Sequence, residues 1–187
     1  HESQIPEPMS FKRVRVGVRD VIVTRDRDGS IHALLNRCAH RGATVCDAES
    51  GKAPRFTCPY HGWTYSPGGQ LVGVPFSDGY ADSLDKSKHG LPRVPKVESF
   101  RGFIFGTLNV EMPPLREYLG AAADALSEWI DRAPGGEIKL QAGVYRSSYR
   151  GNWKLAWDNA ADMYHPFFAH RSLVEITRQR YGGDTGA

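Results

Sequence analysis

Residues 38–43 read Cys-Ala-His-Arg-Gly-Ala, and residues 58–63 read Cys-Pro-Tyr-His-Gly-Trp. Each stretch offers one thiolate and one imidazole, and seventeen residues separate His40 from Cys58. Tetrahedral zinc accepts two Cys and two His, but zinc fingers normally keep the two Cys and the two His in separate pairs. One Cys and one His in each loop suit a two-iron cluster with two Cys on one iron and two His on the other. The remaining alternative, buried Cys beside incidental His, does not account for both spacings.

The residues around these stretches form short apolar runs that are typical of β-strands. The run at 21–24 is separated from the run at 31–35 by a turn that contains Asp28-Gly29, a strong hairpin signal. Further strands are predicted over 11–18, 63–65, 70–74, 94–100 and 103–109. We therefore predict an N-terminal extension over 1–10 and an antiparallel β domain over 11–111.

The pattern changes after Pro113-Pro114, where apolar residues recur at helical spacing. This spacing predicts one amphipathic helix of four to five turns over 114–132, with Pro114 at its first position. Residues 137–149 alternate as a strand, and residues 152–165 are predicted to be helical. We predict that 112–187 are the incomplete start of a second domain.

Asp162, His165 and His170 form a second group of candidate metal ligands. On the predicted helix, Asp162 and His165 share one face, and Pro166 should end the helix just after His165. Two His five residues apart on a straight helix point about 140° away from each other, so a break lets His170 return toward His165. Two imidazoles and a carboxylate are typical of non-haem Fe(II) sites, although surface or packing histidines are the alternative.

Composition excludes several classes of protein. Among the 187 residues, 24 Lys and Arg face 21 Asp and Glu, and the basic residues are scattered. This excludes the concentrated basic face that nucleic-acid binding needs. No apolar run approaches the roughly 20 residues that span a bilayer. Three Cys at irregular spacing argue against a secreted disulfide scaffold, and we expect a cytoplasmic protein.

The two Cys/His blocks resemble the Rieske [2Fe–2S] motif of ring-hydroxylating oxygenase α subunits. The resemblance implies an α+β chain, in which an antiparallel β Rieske domain precedes the truncated start of an α+β, helix-grip-like catalytic domain. It also implies that the [2Fe–2S] cluster is bound by Cys38, His40, Cys58 and His61.

The second group resembles the same family. Asp162-Met163-Tyr164-His165, followed by His170, matches the family's segment after an Asn-Trp-Lys sequence, here residues 152–154. The resemblance implies that His165 and His170 bind a mononuclear Fe(II). It implies that Asp162 links this iron to His61 of a neighbouring subunit as the bridge for electron transfer between the two centres. The third ligand, a carboxylate, comes from farther downstream in the family and is absent from this chain.

Departures from the respiratory Rieske proteins concern residues around the cluster. Those proteins carry an extra Cys in each loop, but Tyr60 occupies that position in the second loop, so Cys46 is expected to be a buried structural thiol. A Ser that donates to a cluster sulfur is replaced by Trp63, whereas Tyr65 keeps its phenol. Fewer donors imply a reduction potential toward the lower end of the Rieske range.

The implied function is that of a terminal oxygenase component, a dioxygenase rather than a monooxygenase. It would take electrons from a reductase or ferredoxin and insert oxygen from O₂ into a small aromatic substrate. The family implies a homotrimer of full-length α subunits, with or without β subunits. The alternatives are a Rieske ferredoxin, which carries electrons only, and a zinc-binding interaction module. Because the third carboxylate is absent, we expect this piece alone to be inactive.

Overall fold

The computed structural model describes residues 1–140, 143, 145 and 147–182. The chain divides into two compact units, His1–Gly143 and Val144–Ala187. Within the described residues, no helix is both long enough and apolar enough to cross a membrane. Short 3-10 helices lie at Glu2–Gln4, Ser77–Ser83, Lys86–Lys88 and Pro134–Gly136.

The first unit begins with a four-stranded antiparallel sheet. Gly29 has a φ of +88° in the turn between the second and third strands, a conformation that glycine adopts without strain. The sequence does not predict the fourth strand, because Ser-Gly-Lys is exposed and lacks apolar alternation. The strands are β1 (Ser10–Val16), β2 (Arg19–Arg25), β3 (Ile31–Leu35) and β4 (Ser50–Lys52), in the order β3-β2-β1-β4.

A three-stranded antiparallel sheet follows, made of β5 (Phe56–Thr57), β6 (Thr64–Tyr65) and β7 (Leu71–Gly73). Phe56 pairs with Tyr65 and Thr57 with Thr64, so residues 58–63 are the loop of the β5–β6 hairpin. The sequence does not predict β5, because two residues are too few to show a period.

The third sheet has two strands, β8 (Lys96–Phe100) and β9 (Phe103–Thr107). Arg101 and Gly102 connect them with φ values of +50° and +84°, as the tight turn of a two-residue hairpin requires. Leu34 of β3 also bridges Arg93, just before β8. The predicted antiparallel β structure is thereby observed, and it consists of three sheets.

The predicted continuous helix over 114–132 is wrong. Two helices, α1 (Leu115–Leu119) and α2 (Ala121–Asp131), are separated by Gly120, and Pro114 is the N-cap. Gly120 has a φ of +50° and a ψ of −129°, far from helical values, and the lack of a Cβ permits this. From the predicted apolar face, the buried residues are Leu115, Ala123 and Ile130, whereas Tyr118 and Trp129 are mostly exposed.

The core of the first unit packs the sheets against both Cys/His stretches. Its larger cluster consists of Phe11, Ile22, Leu34, Cys38, Val45, Cys46, Phe56, Cys58, Trp63, Tyr65, Leu71 and Leu91. A smaller cluster joins Val21 and Ala33 to Val94. The two candidate cluster cysteines are therefore part of the hydrophobic core.

The second unit contains α3 (Trp153–Ala161), α4 (Pro166–Ala169) and α5 (Arg171–Tyr181). The prediction of one helix over 152–165 is wrong at its end, because α3 stops at Ala161 and Asp162 has extended backbone angles. A carboxylate oxygen of Asp162 accepts the Tyr164 N–H at 2.7 Å. Such a local turn competes with the helix, so Asp162 and His165 do not share a helix face. Pro166 instead begins α4.

The strand predicted over 137–149 is not observed in the described part of that range, and residues 141, 142, 144 and 146 lie outside the described residues. Residues 137–140 join none of the three sheets. A strand without a partner leaves its backbone hydrogen bonds unpaired and is not stable alone, so sequence alternation was insufficient here.

Candidate functional site

The loops 38–43 and 58–63 have the same backbone hydrogen bonds. In each loop the cysteine N–H donates to the carbonyl oxygen five residues later at 2.8 Å. The N–H of the glycine four residues after the cysteine donates back to the cysteine carbonyl oxygen at 2.9 Å. Each loop therefore closes around its cysteine in the same way, although the histidine stands two residues after Cys38 and three residues after Cys58.

Both loops need their glycine. Gly42 and Gly62 have φ values of +76° and +72°, which side chains with a Cβ rarely adopt. A Cβ on Gly42 would lie 2.9 Å from Nε of Arg37, and one on Gly62 would lie 2.8 Å from Cγ of Pro75. Glycine is thus required by the backbone angle and by the neighbouring side chains.

The two cysteines are free thiols in the interior, with exposed fractions of 4% for Cys38 and 2% for Cys58. The phenolic oxygen of Tyr65 lies 3.1 Å from Sγ of Cys38. The same oxygen accepts the Ala39 N–H at 3.1 Å, so the phenolic hydrogen is available to the sulfur. Burial and the contact with Cys38 raise the pKa of the Tyr65 phenol, and the group is therefore a neutral donor at physiological pH.

The two imidazoles differ in their environments. The rings of His40 and His61 lie 4.8 Å apart between centroids, and His61 is exposed whereas His40 is half-buried. Nδ1 of His40 is buried and has no hydrogen-bond partner among the described residues. Burial, together with the nearby His61 and Arg41, lowers the pKa of His40, which favours the neutral imidazole that binds metals.

A [2Fe–2S] cluster fits this donor set. An unpaired polar nitrogen in the interior costs free energy unless it has a partner, and a metal bound at Nδ1 of His40 would supply one. Two free thiols and an imidazole pair on adjacent loops match the two-Cys, two-His ligand set of such a cluster. Each iron takes two protein ligands in that arrangement. Among the described residues, no three His, Cys, Asp or Glu side chains form a group that could hold one metal ion.

Cys46 lies apart from this donor set. It is buried, its sulfur contacts the Ala48 carbonyl oxygen at 3.7 Å, and burial raises the pKa of its thiol. Its backbone is held by Asn36, whose Nδ2 donates to the Cys46 carbonyl oxygen at 2.6 Å and whose Oδ1 accepts the Val45 and Cys46 N–H groups. Cys46 is therefore an inert, buried thiol in a hydrogen-bonded loop, as expected of a structural cysteine.

The structure also brings together the second group of predicted residues. His165 and His170 stand at the two ends of α4, with ring centroids 5.3 Å apart. Nδ1 of His165 lies 3.2 Å from Oδ2 of Asp162. A carboxylate on one ring nitrogen fixes the tautomer and leaves the other nitrogen free for a metal. Metal–imidazole bonds are about 2 Å long, so rings at this separation can contact one ion.

The Asp162 carboxylate is held in its charged form by neighbouring groups. The Tyr164 N–H, and then His165, lower its pKa below the ordinary carboxyl value. The other oxygen of the carboxylate remains directed to His165, so the same side chain ends α3 and orients the imidazole. The turn, rather than a shared helix face, places the two residues together.

Sequence reasoning missed the aromatic contacts of the histidines. Trp63 stacks on His40 with ring centroids 4.7 Å apart and planes at 10°, and the edge of Trp63 contacts His89 at 5.8 Å. Trp63 directly follows His61-Gly62, which places an aromatic residue in the second loop but does not pair it with His40 of the first loop.

The comparisons with known proteins agree with this geometry. The family model described as the Rieske [2Fe–2S] domain matches residues 1–98. The chain belongs to the Rieske [2Fe–2S] family. This membership confirms the predicted Rieske fold and implies a [2Fe–2S] cluster as cofactor, in the part of the chain that contains both loops.

Relatives of this Rieske chain include the alpha subunits of a dioxygenase and of an N-demethylase. Toluate 1,2-dioxygenase subunit alpha of Pseudomonas putida is 39% identical over all of this chain and 41% of the relative. N,N-dimethyl phenylurea N-demethylase subunit alpha of a Sphingobium strain is 43% identical over 94% of this chain and 38% of the relative.

A solved structure of naphthalene 1,2-dioxygenase from a Rhodococcus species, bound to indole, matches the Rieske chain with a TM-score of 0.86 and 42% identity. The match covers 94% of this chain and 40% of that one. The chain thus spans about two fifths of the length of the curated relatives it matches, and it is homologous to the N-terminal part of ring-hydroxylating oxygenase α subunits.

Proposed function

We propose that this chain is the N-terminal part of the catalytic α subunit of an aromatic ring-hydroxylating oxygenase. The observation that carries the proposal is the His165–His170 pair, with Asp162 on Nδ1 of His165, in a chain that already has a Rieske domain. An electron carrier has no use for a second imidazole pair. The names of the relatives support an oxygenase that acts on aromatic compounds.

The proposed Rieske domain covers 11–111, and the proposed catalytic domain begins at 112. In the Rieske domain, Cys38 and Cys58 would bind one iron through thiolates, and His40 and His61 the other through imidazole nitrogens. The buried, unpaired Nδ1 of His40 supports this assignment. When bound, the cluster supplies one-electron redox chemistry, and a mononuclear Fe(II) supplies O₂ activation. Tyr65 donates a hydrogen bond to the Cys38 sulfur and thereby stabilises its negative charge.

In the second unit, His165 and His170 would hold Fe(II), and a carboxylate from outside these 187 residues would complete the site. Asp162 accepts the Nδ1 proton of His165, which keeps Nε2 free for the metal. Asp162 is also half exposed, with 43% of its side chain accessible. It can therefore accept a second hydrogen bond, and we propose that His61 of a neighbouring subunit donates it, as the bridge for electron transfer.

The proposed partners follow from this role. They are a reductase or ferredoxin electron donor, O₂ and a small aromatic substrate, in a homotrimer of full-length α subunits with or without β subunits. A cytoplasmic location is proposed with them. Relatives described as large oxygenase components of dioxygenase systems support the multicomponent arrangement.

The test uses the full-length α subunit with a ferredoxin–reductase pair, ¹⁸O₂ and a panel of aromatic substrates. We expect ¹⁸O in the product and its loss in Asp162→Asn, with the cluster absorbance retained. Asp158→Asn, an exposed carboxylate on α3, is the matched control and should remain active. Reduction of the cluster without ¹⁸O incorporation from any substrate would support the alternative, a Rieske electron carrier.

A further inference from the structure

We infer that Trp63 is a positioning residue that fixes the plane of the His40 imidazole and so tunes the cluster. The inference rests on the proposed role of His40 as a cluster ligand. Trp63 offers no ligand atom of its own, and it acts on the cluster through the His40 ring that it covers.

The geometry of the His40–Trp63 pair is that of a parallel stack. The ring planes differ by 10°, and the centroids are 4.7 Å apart. Stacked aromatic rings attract each other at this separation, and tilting the imidazole would drive its edge into the indole. With one face covered, the imidazole keeps one plane, and its Nδ1 is buried.

Trp63 is itself held in place from several sides. Its side chain is buried, with 4% of the residue exposed, and its edges contact Tyr80 at 6.5 Å and His89 at 5.8 Å between centroids. Its carbonyl oxygen accepts the Cys58 N–H that closes the second loop. The indole is therefore a rigid surface rather than a mobile cover.

His61 lacks such a rigid support. Its ring contacts Tyr60 at 4.0 Å, but Tyr60 is 58% exposed, with the Arg41 guanidinium 5.5 Å from the centre of its ring. Side chains on the surface retain more freedom than those in a packed interior. The half-buried imidazole of His40 is thus covered by a buried indole, whereas the imidazole of His61 is exposed at the surface.

This asymmetry has consequences for the cluster. The groups around a metal ligand set its orientation and the access of water, and both alter the redox potential. Trp63 sets the orientation of the His40 ring and limits the access of water to it. A side chain without an aromatic face should release the ring and admit water, whereas Phe should keep part of the stack.

The experiment compares Trp63→Leu with Trp63→Phe in this chain. Iron and sulfide contents establish cluster occupancy, electron paramagnetic resonance of the reduced protein reports the ligand geometry, and voltammetry gives the potential. We expect Trp63→Leu to broaden the resonance lines and to shift the potential, and Trp63→Phe to restore narrow lines. Trp129→Leu, the same change at a residue that is 55% exposed on α2, should leave both readouts unchanged.

Because Trp63→Leu also removes core volume, His89→Ala provides a second test that leaves the stack and the ligands intact. It should shift both readouts in the same direction as Trp63→Leu, but less. Unchanged lines and potential in His89→Ala and in cluster-loaded Trp63→Leu would overturn the inference. A wild-type chain without iron and sulfide would instead refute the proposed cluster, and with it the ligand role of His40.

Discussion

Replacement of Tyr65 by Phe removes one hydroxyl from a fully buried side chain. The hydroxyl oxygen lies 3.1 Å from Sγ of Cys38 and accepts the Ala39 N–H at the same distance. Since the oxygen already accepts that N–H, we assign the phenolic hydrogen to the sulfur. A donor at a cluster sulfur stabilises the reduced cluster, which carries the greater negative charge. The Tyr65→Phe variant should therefore have a lower reduction potential.

The magnitude follows from the energy of one hydrogen bond. A bond to a charged partner contributes about 1.5–3 kcal/mol, but only the difference between the two redox states changes the potential. If that difference is about 1 kcal/mol, the potential falls by about 40 mV. The conversion uses about 1.4 kcal/mol for a tenfold change in an equilibrium constant and about 59 mV for the same change in a one-electron reaction. Loss of the hydrogen bond from the Ala39 N–H should also reduce the free energy of unfolding by about 0.5–1.5 kcal/mol.

Protein-film voltammetry at neutral pH measures the shift, with cluster content checked by iron and sulfide analysis. Tyr118→Phe is the matched control, because this tyrosine is 59% exposed on α1, and its potential should equal that of the wild type. An unchanged or higher potential in Tyr65→Phe, at full cluster content, would refute the assignment of the phenol as a donor to the sulfur.

Three further predictions concern the loops and the second unit. Cys58→Ala should lose the cluster absorbance because metal binding and loop folding are coupled, whereas Cys46→Ala should retain it; retention in Cys58→Ala would contradict the ligand assignment. Asn36→Ala should lower the free energy of unfolding by about 2–4 kcal/mol in urea titrations, since it leaves several buried groups unpaired; the exposed Asn109→Ala should change it by less than about 1 kcal/mol. The lowered pKa of Asp162 means that its turn is formed above the ordinary carboxyl pKa and lost as pH falls through the lowered value. Amide NMR should show the Tyr164 N–H protected from exchange at every pH above the lowered pKa of Asp162. Loss of this protection already near pH 6 would contradict the prediction.

The sequence predicted the β-rich first unit well because its turns carry chemistry of their own. Asp28-Gly29 marks a hairpin by residue type, and the structure has this hairpin. The strands β4 and β5 were not predicted, because they form only by pairing with neighbouring strands. A three-residue exposed strand pairs with β1 only once β1 is in place.

The helices show where local pattern fails. Periodicity continues across Gly120, but the backbone leaves the helix there, and nothing in an apolar period signals a left-handed residue. Asp162 shows the same limit, because its carboxylate bonds the Tyr164 N–H and ends α3 earlier than Pro166 would. The grouping of Asp162, His165 and His170 was nevertheless expected, since short spacing confines the three side chains whatever the turn between them.

The stacking of Trp63 on His40 could not be predicted, because it joins two loops that meet only through the fold. The ligand types and their order are local and visible, whereas burial and ring contacts depend on tertiary packing. The Rieske motif therefore indicated the chemistry, and the structure supplied the surroundings that tune it.

Electron–nuclear double resonance of the reduced chain, with ¹⁵N-labelled histidine, tests the central claim most directly. The claim is that His40 and His61 bind one iron while Cys38 and Cys58 bind the other. It predicts two strongly coupled ¹⁵N nuclei in the wild type and one fewer in any His40 variant that still holds iron. A spectrum without directly coupled histidine nitrogen, or a colourless chain that holds zinc, would contradict it.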